Sequence, residues 1–149
     1  MSARSKARKR ALDVLYAAEV RGVPASEVLT QAPMAEGAAR SEPALNPYVR
    51  TLVTGVVEHQ DRIDSLIGQY SSGWELDRMP AVDRNLLRLG VYELLWEPDV
   101  PGAVVIDEAV ELARALSTDE SPSFVNGLLG RILDLRANLT SGNSAAGLD

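Results

Sequence analysis

The stretch from Ala81 to Trp96 constrains the fold most strongly, because apolar residues lie on every side of the helix that it predicts. A helix that is apolar all round is buried on all sides, so we expect this segment at the centre of the domain. Glu93 falls on the same side of this helix as Leu86 and Leu89. A buried carboxylate needs a hydrogen bond or a cation. We expect its partner to be Arg88 or a cation from another helix.

Helical periodicity recurs along the chain, and no segment shows the alternation of a strand. Asn46 is a good helix cap and is followed by proline at the first helical position. Residues 34–46 are small and polar and indicate a loop. The predicted fold is therefore all-α, a compact bundle of six to seven helices. The segments predicted as helices are Ala3–Arg21, Ser26–Ala32, Pro47–Tyr70, Ala81–Trp96, Ala103–Leu116 and Pro122–Arg136.

The domain prediction follows from length and composition. We predict one helical domain over residues 1–137 and a disordered tail over residues 138–149, which are small and polar. Four glycines lie inside predicted helices, where each costs about 1 kcal/mol relative to alanine. Close approach of two helices is the expected compensation at these positions, which are Gly55, Gly90, Gly127 and Gly130.

The charge of the chain is unevenly distributed. The first ten residues hold five cations and no acid, whereas the other residues hold 10 cations and 21 acids. A basic end on an acidic body offers one place for a polyanion, so salt-sensitive nucleic-acid binding is expected. The alternative is a disordered basic tail without a partner. The five cations are Arg4, Lys6, Arg8, Lys9 and Arg10.

Tyr16 lies on the same side of the first predicted helix as Lys9. An aromatic ring beside a cationic face suits RNA, because the ring can stack on an unpaired base. The alternative is a tyrosine that packs against a neighbouring helix.

The residues that usually carry catalysis are scarce. The chain contains no cysteine and a single histidine, His59, which we place on a solvated helix face. Common transition-metal sites therefore have too few ligands. Asp107, Glu108 and Glu111 fit the outer face of an amphipathic helix, and no glycine-rich phosphate loop occurs. The sequence favours a binding protein over an enzyme, with no cofactor and no metal.

Targeting signals are also absent from the sequence pattern. No apolar run approaches the roughly 18 residues of a membrane span. The basic N-terminal stretch has no apolar segment of a secretory signal behind it. We therefore expect a cytoplasmic protein without a membrane contact.

Four blocks of sequence together resemble the NusB family of transcription antitermination proteins. They are residues 8–16 (RKRALDVLY), residues 82–94 (VDRNLLRLGVYEL), residues 100–113 with VP at 100–101 and VIDEAVELA at 105–113, and residues 124–129 (FVNGLL). The resemblance implies an all-helical fold made of two small sub-bundles and no enzymatic activity. It also implies binding to the boxA element of nascent RNA together with NusE, a small-subunit ribosomal protein. That complex joins RNA polymerase and other Nus factors and supports ribosomal RNA transcription.

The resemblance carries over to individual positions. The RNA-binding residues that it implies are Arg4, Lys6, Arg8, Lys9, Arg10, Tyr16 and Phe124. The partner-binding residues that it implies are Tyr92, Glu93, Asp119 and Glu120. The chain departs from the family pattern at Asp107, Ser117 and Pro122–Ser123, which weakens the assignment of contacts near those positions.

Two other functions fit the sequence less well. A protein–protein adaptor could hide its basic N-terminus in a homodimer. A helical domain related to those of RNA methyltransferases would need a catalytic domain after residue 136, where 13 residues follow.

Overall fold

The computed structural model describes residues 2–31, 46–71 and 74–146, and every regular element in these ranges is helical. The predicted all-α fold is confirmed. A single 3₁₀ turn, Leu76–Arg78, precedes the fifth helix. The α-helices in chain order are α1 Ala3–Arg21, α2 Ala25–Gln31, α3 Pro47–Glu58, α4 Gln60–Tyr70, α5 Ala81–Trp96, α6 Gly102–Leu116 and α7 Ser121–Ala146.

The chain divides into two compact units, residues 1–58 and residues 59–149. In the first unit, α1, α2 and α3 pack against one another. The bounds of α1 match the prediction from the sequence. Its start is capped by Ser2, whose hydroxyl accepts the backbone N–H of Ser5 at 3.0 Å. Its end is set by Gly22, whose φ of 69° is the left-handed conformation that glycine adopts most easily.

The prediction of one helix over Pro47–Tyr70 is wrong, because the structure has two helices there, α3 and α4. Its start is confirmed: the side-chain oxygen of Asn46 accepts the backbone N–H of Tyr48 at 2.8 Å. The break falls at His59, whose φ of −109° and ψ of 18° leave the helical region. The boundary between the two compact units falls at the same place.

In the second unit, α5 is the central element and packs against α4, α6 and α7. Its bounds and its burial were predicted from the sequence. Glu93 is 2% exposed, as expected of a residue on the buried side. Arg88, one of its expected partners, forms a bidentate salt bridge with Asp64 on α4, with N–O distances of 2.8 and 3.0 Å.

The glycine prediction is confirmed at Gly90 and wrong at two other positions. A Cβ atom at Gly90 would lie 2.7 Å from Cδ1 of Leu129, so α5 and α7 approach closely there. A Cβ atom at Gly127 or Gly130 would meet nothing within 4 Å. Gly102, which the sequence prediction missed, is a further close approach: a Cβ atom there would lie 2.5 Å from Cδ1 of Leu133.

The chain after Arg136 continues as helix to Ala146, whereas the sequence ended the last helix near Arg136. The predicted loop over residues 34–46 lies outside the described residues except for Asn46. The single domain over residues 1–137 and the tail over residues 138–149 stay predictions. Within the described ranges, no helix has the length and apolar character needed to cross a membrane.

Candidate nucleic-acid interface

Helix α1 presents most of the predicted RNA-binding cations. Arg4 and Lys6 are exposed, and Lys9 and Arg10 are partly exposed. The guanidinium of Arg4 lies over the ring of Tyr48, 4.4 Å from its centroid, which is a cation–π distance. Lys9 pairs with Asp13 one turn later at 3.1 Å. A surface pair of this kind contributes little stability, so Lys9 can exchange Asp13 for a phosphate at small cost.

Arg8 differs from the other four cations, because its side chain is only 5% exposed. It belongs to the buried stripe of α1 together with Ala7 and Ala11. A guanidinium in this position has little accessible surface to offer to a phosphate outside. A helical wheel of α1 puts Arg8 beside this stripe, whereas the structure buries it within the stripe.

Tyr16 is 41% exposed on α1, so part of its ring is accessible for stacking. Val20, one turn further along, is 64% exposed. The two residues extend the accessible face of α1 beyond the basic segment. Stacking on RNA and packing against a neighbouring helix both stay predictions for Tyr16.

Phe124 lies in the second unit, on the first turn of α7, and is partly buried. Its ring meets Trp74 edge to face, with centroids 4.8 Å apart and ring planes at 89°. Sequence reasoning missed Trp74, although a tryptophan in a turn is a signal for a contact of this kind. The indole is 37% exposed, so the pair leaves aromatic surface open to solvent.

The turn before α7 is held by Asp83, a fully buried residue on the first turn of α5. The hydroxyl of Ser117 donates to one oxygen of Asp83 at 2.5 Å, and the hydroxyl of Ser121 donates to the other at 2.8 Å. The backbone N–H of Thr118 donates to Ser121 Oγ at 3.2 Å. Ser117, a departure from the family pattern, is therefore part of a buried network that fixes the start of α7.

The predicted partner-binding residues fall into two groups. Asp119 and Glu120 are exposed in the turn before α7. Tyr92 and Glu93 are 7% and 2% exposed on α5, and the hydroxyl of Tyr92 donates to Glu97 at 2.7 Å. Only the first group lies on the surface of the chain, so it is the group that can form a direct contact without rearrangement.

The interpretation of His59 as a residue on a solvated helix face is wrong. The imidazole is partly buried and stacks on Trp96, with ring centroids 4.1 Å apart and planes at 13°. This stacking lies at the break between α3 and α4. Among the residues that the structure describes, no group of three or more metal-binding side chains comes together.

Comparison with known proteins assigns this architecture to one family. The model of the NusB family matches residues 5–134. A transcription antitermination protein NusB of Nocardioides sp. is 62% identical over 139 residues, which cover 93% of this chain and 99% of the relative. The corresponding protein of Thermobifida fusca is 55% identical over 137 residues, covering 92% of this chain and 93% of the relative.

Solved structures give the same assignment. NusB of T. maritima is 36% identical with a TM-score of 0.77, and the match covers 90% of this chain and 92% of that one. A chain from a crystal structure of the antitermination factors NusB and NusE in complex with double-stranded RNA is 30% identical with a TM-score of 0.76. That match covers 90% of this chain and 98% of the other.

Proposed function

The chain belongs to the NusB family of transcription antitermination proteins, and we propose that it binds boxA-type single-stranded RNA together with the ribosomal protein NusE. The observation that carries this proposal is a match over nearly the full length of relatives named as antitermination proteins. A similar chain has been crystallised with NusE and double-stranded RNA, which supports NusE and RNA as the two kinds of partner. The complex would join RNA polymerase and other Nus factors in the cytoplasm, and this chain would contribute binding and no catalysis.

The exposed side of α1 supports the RNA contact. We assign attraction of the phosphates to Arg4, Lys6, Lys9 and Arg10, which are exposed or partly exposed. Phosphate contacts position the RNA but read no sequence. Tyr16 and Phe124 can stack on unpaired bases, which is how proteins commonly read single strands. The buried Arg8 is a positioning residue in this proposal.

The partner contact is assigned to the acidic turn at Asp119 and Glu120. Both carboxylates are exposed, and the turn is held by the hydrogen bond from Ser121 to the buried Asp83. A fixed turn loses little conformational freedom on binding, which favours affinity. Tyr92 and Glu93 would support this surface from the interior of the second unit, because both are buried.

Removing two exposed cations of α1 should weaken RNA binding in a salt-dependent way. For Arg4→Gln with Lys6→Gln, we expect roughly 10-fold lower affinity at low salt. The slope of log affinity against log salt should fall by about 1.4, since each phosphate contact to a single strand contributes about 0.7. Fluorescence anisotropy of a labelled boxA-type RNA over a salt titration measures both quantities.

The matched control removes two exposed cations elsewhere, Arg50→Gln with Arg114→Gln. It changes the net charge by the same amount. Because it removes no proposed phosphate contact, it should leave the slope of log affinity against log salt unchanged. Equal slopes for the α1 variant and the parent chain would remove α1 from the RNA site.

Self-association stays a prediction, and light scattering in the same buffers tests it. A dimer whose mass falls when RNA is added would mean that the dimer interface covers the cations of α1.

A further inference from the structure

A cleft in the second unit is formed by the end of α4, the turn before α5 and the first turns of α7. Its volume is about 400 Å³, within the range of roughly 300–1,000 Å³ that is usual for small-molecule sites. Three of its lining residues are aromatic, which is a large share for a chain that is only 5% aromatic. The residues that the argument uses are Tyr70, Trp74, Phe124, Gly127 and Arg131.

The aromatic rings of the cleft occur in two arrangements. Trp74 and Phe124 form the edge-to-face pair, with centroids 4.8 Å apart. The guanidinium of Arg131 lies over the ring of Tyr70, 5.4 Å from its centroid, and donates to the carbonyl oxygen of Tyr70 at 3.4 Å. The cleft thus combines flat apolar surfaces with a fixed positive charge.

We propose that this cleft binds one unpaired nucleobase of the RNA, with its phosphate directed to Arg131. A nucleotide joins a flat ring to an anion, which matches the aromatic surfaces and the guanidinium of the cleft. An aromatic side chain of a protein carries no anion that could pair with the guanidinium.

The walls of the cleft are preformed, because hydrogen bonds order them on both sides. The hydroxyl of Ser71 donates to the backbone carbonyl oxygen of Trp74 at 2.6 Å, which fixes the backbone that carries the indole. On the other side, Asp83 binds Ser117 and Ser121, which fixes the start of the helix that carries Phe124. Because the walls are already ordered, little conformational freedom is lost when the base binds.

Filling the cleft with a side chain tests this proposal, which rests on the proposed RNA-binding function. Gly127 lines the cleft, and a Cβ atom there meets nothing within 4 Å. Gly127→Leu should therefore occupy the cleft without a clash in the helix backbone. We expect a 5- to 100-fold loss of affinity for a boxA-type single-stranded RNA, about the contribution of one stacked base, with a Tm at or above that of the parent.

The matched control is Gly130→Leu on the same helix. Its Cβ atom also meets nothing within 4 Å, and it does not line the cleft. It makes the same change in composition and helix propensity, so it should bind the RNA as the parent does. Equal affinity of Gly127→Leu and the parent chain would overturn the proposal and leave the α1 contact untouched.

The RNA side of the contact is tested by a series in which one base at a time is removed from the RNA. One abasic position should weaken binding to the parent by 5- to 100-fold and have little further effect on Gly127→Leu. If Gly127→Leu loses affinity for NusE but not for RNA, the cleft is a protein site and the proposal fails. If the parent chain binds no single-stranded RNA at any salt concentration, the proposed function fails with it.

Discussion

Replacing Asp83 with alanine is expected to lower the free energy of unfolding by about 3 kcal/mol, because it removes a buried carboxylate that accepts two hydrogen bonds. Asp83 is fully buried, and Ser121, which binds it, is 1% exposed. Without the carboxylate, the hydroxyl of Ser121 loses a buried acceptor at 2.8 Å. The turn before α7 should loosen as well, since Ser117 is held by the same side chain.

Chemical denaturation of Asp83→Ala and of the parent chain measures this loss. Asp83→Asn keeps the shape and one acceptor, so it should cost about half as much. Asp107→Ala removes a carboxylate from the exposed face of α6 and is the control for loss of an acidic group. If Asp83→Ala and Asp107→Ala unfold at the same denaturant concentration, the network does not stabilise the second unit.

Replacing Gly90 with valine should also destabilise the second unit by about 3 kcal/mol. A Cβ atom at this position lies 2.7 Å from Cδ1 and 3.0 Å from Cδ2 of Leu129. Leu129 has no exposed surface, so its side chain cannot give way by turning out into solvent. Overpacking of a core costs about 1–3 kcal/mol, and the two methyl groups of valine place this substitution at the upper end.

A second substitution distinguishes overpacking from a change of helix propensity. Leu129→Ala alone should cost about 2–5 kcal/mol, but combined with Gly90→Val it should cost less than the sum, because the valine fills part of the space. Thermal unfolding of the two single variants and the double variant gives the coupling between the sites. Gly130→Ala is the control for propensity and should raise Tm. If the losses in unfolding free energy of the two single variants simply add up in the double variant, the close approach of α5 and α7 is contradicted.

The sequence predicted the elements whose signals are local. α1 and α5 have the predicted bounds, since periodicity and turn residues define both ends of each helix. The break at His59 carries no proline or glycine signal. In the structure it coincides with stacking on Trp96, a residue far along the chain. A contact of this range cannot be seen in a local pattern, so the sequence joined α3 and α4 into one helix.

The candidate site divides in the same way. The cations of α1 were visible in the sequence, because they form a dense run at one end of the chain. The burial of Arg8 was not visible, because it depends on packing rather than on the helical wheel of α1 alone. The acceptor that Ser117 and Ser121 share is Asp83 on another helix, so a local pattern could not identify it.

The cleft shows most clearly what a sequence leaves open. Trp74 and Phe124 are distant in the chain and become neighbours only when the turn before α5 packs against α7. Gly127 was expected to mark a close approach of two helices, and the structure instead places it beside open space. The role of such residues follows from tertiary contacts.

The measurement that tests the central claim most directly is binding of labelled boxA-type single-stranded RNA to this chain with and without NusE. If both partners bind the chain as proposed, NusE should raise its affinity for the RNA by about 5- to 150-fold, the usual range of coupling between two sites. By the same linkage, the RNA should raise the affinity for NusE by the same factor. RNA affinity that is undetectable in both conditions, or is identical for boxA-type and unrelated RNA with NusE present, would contradict the account.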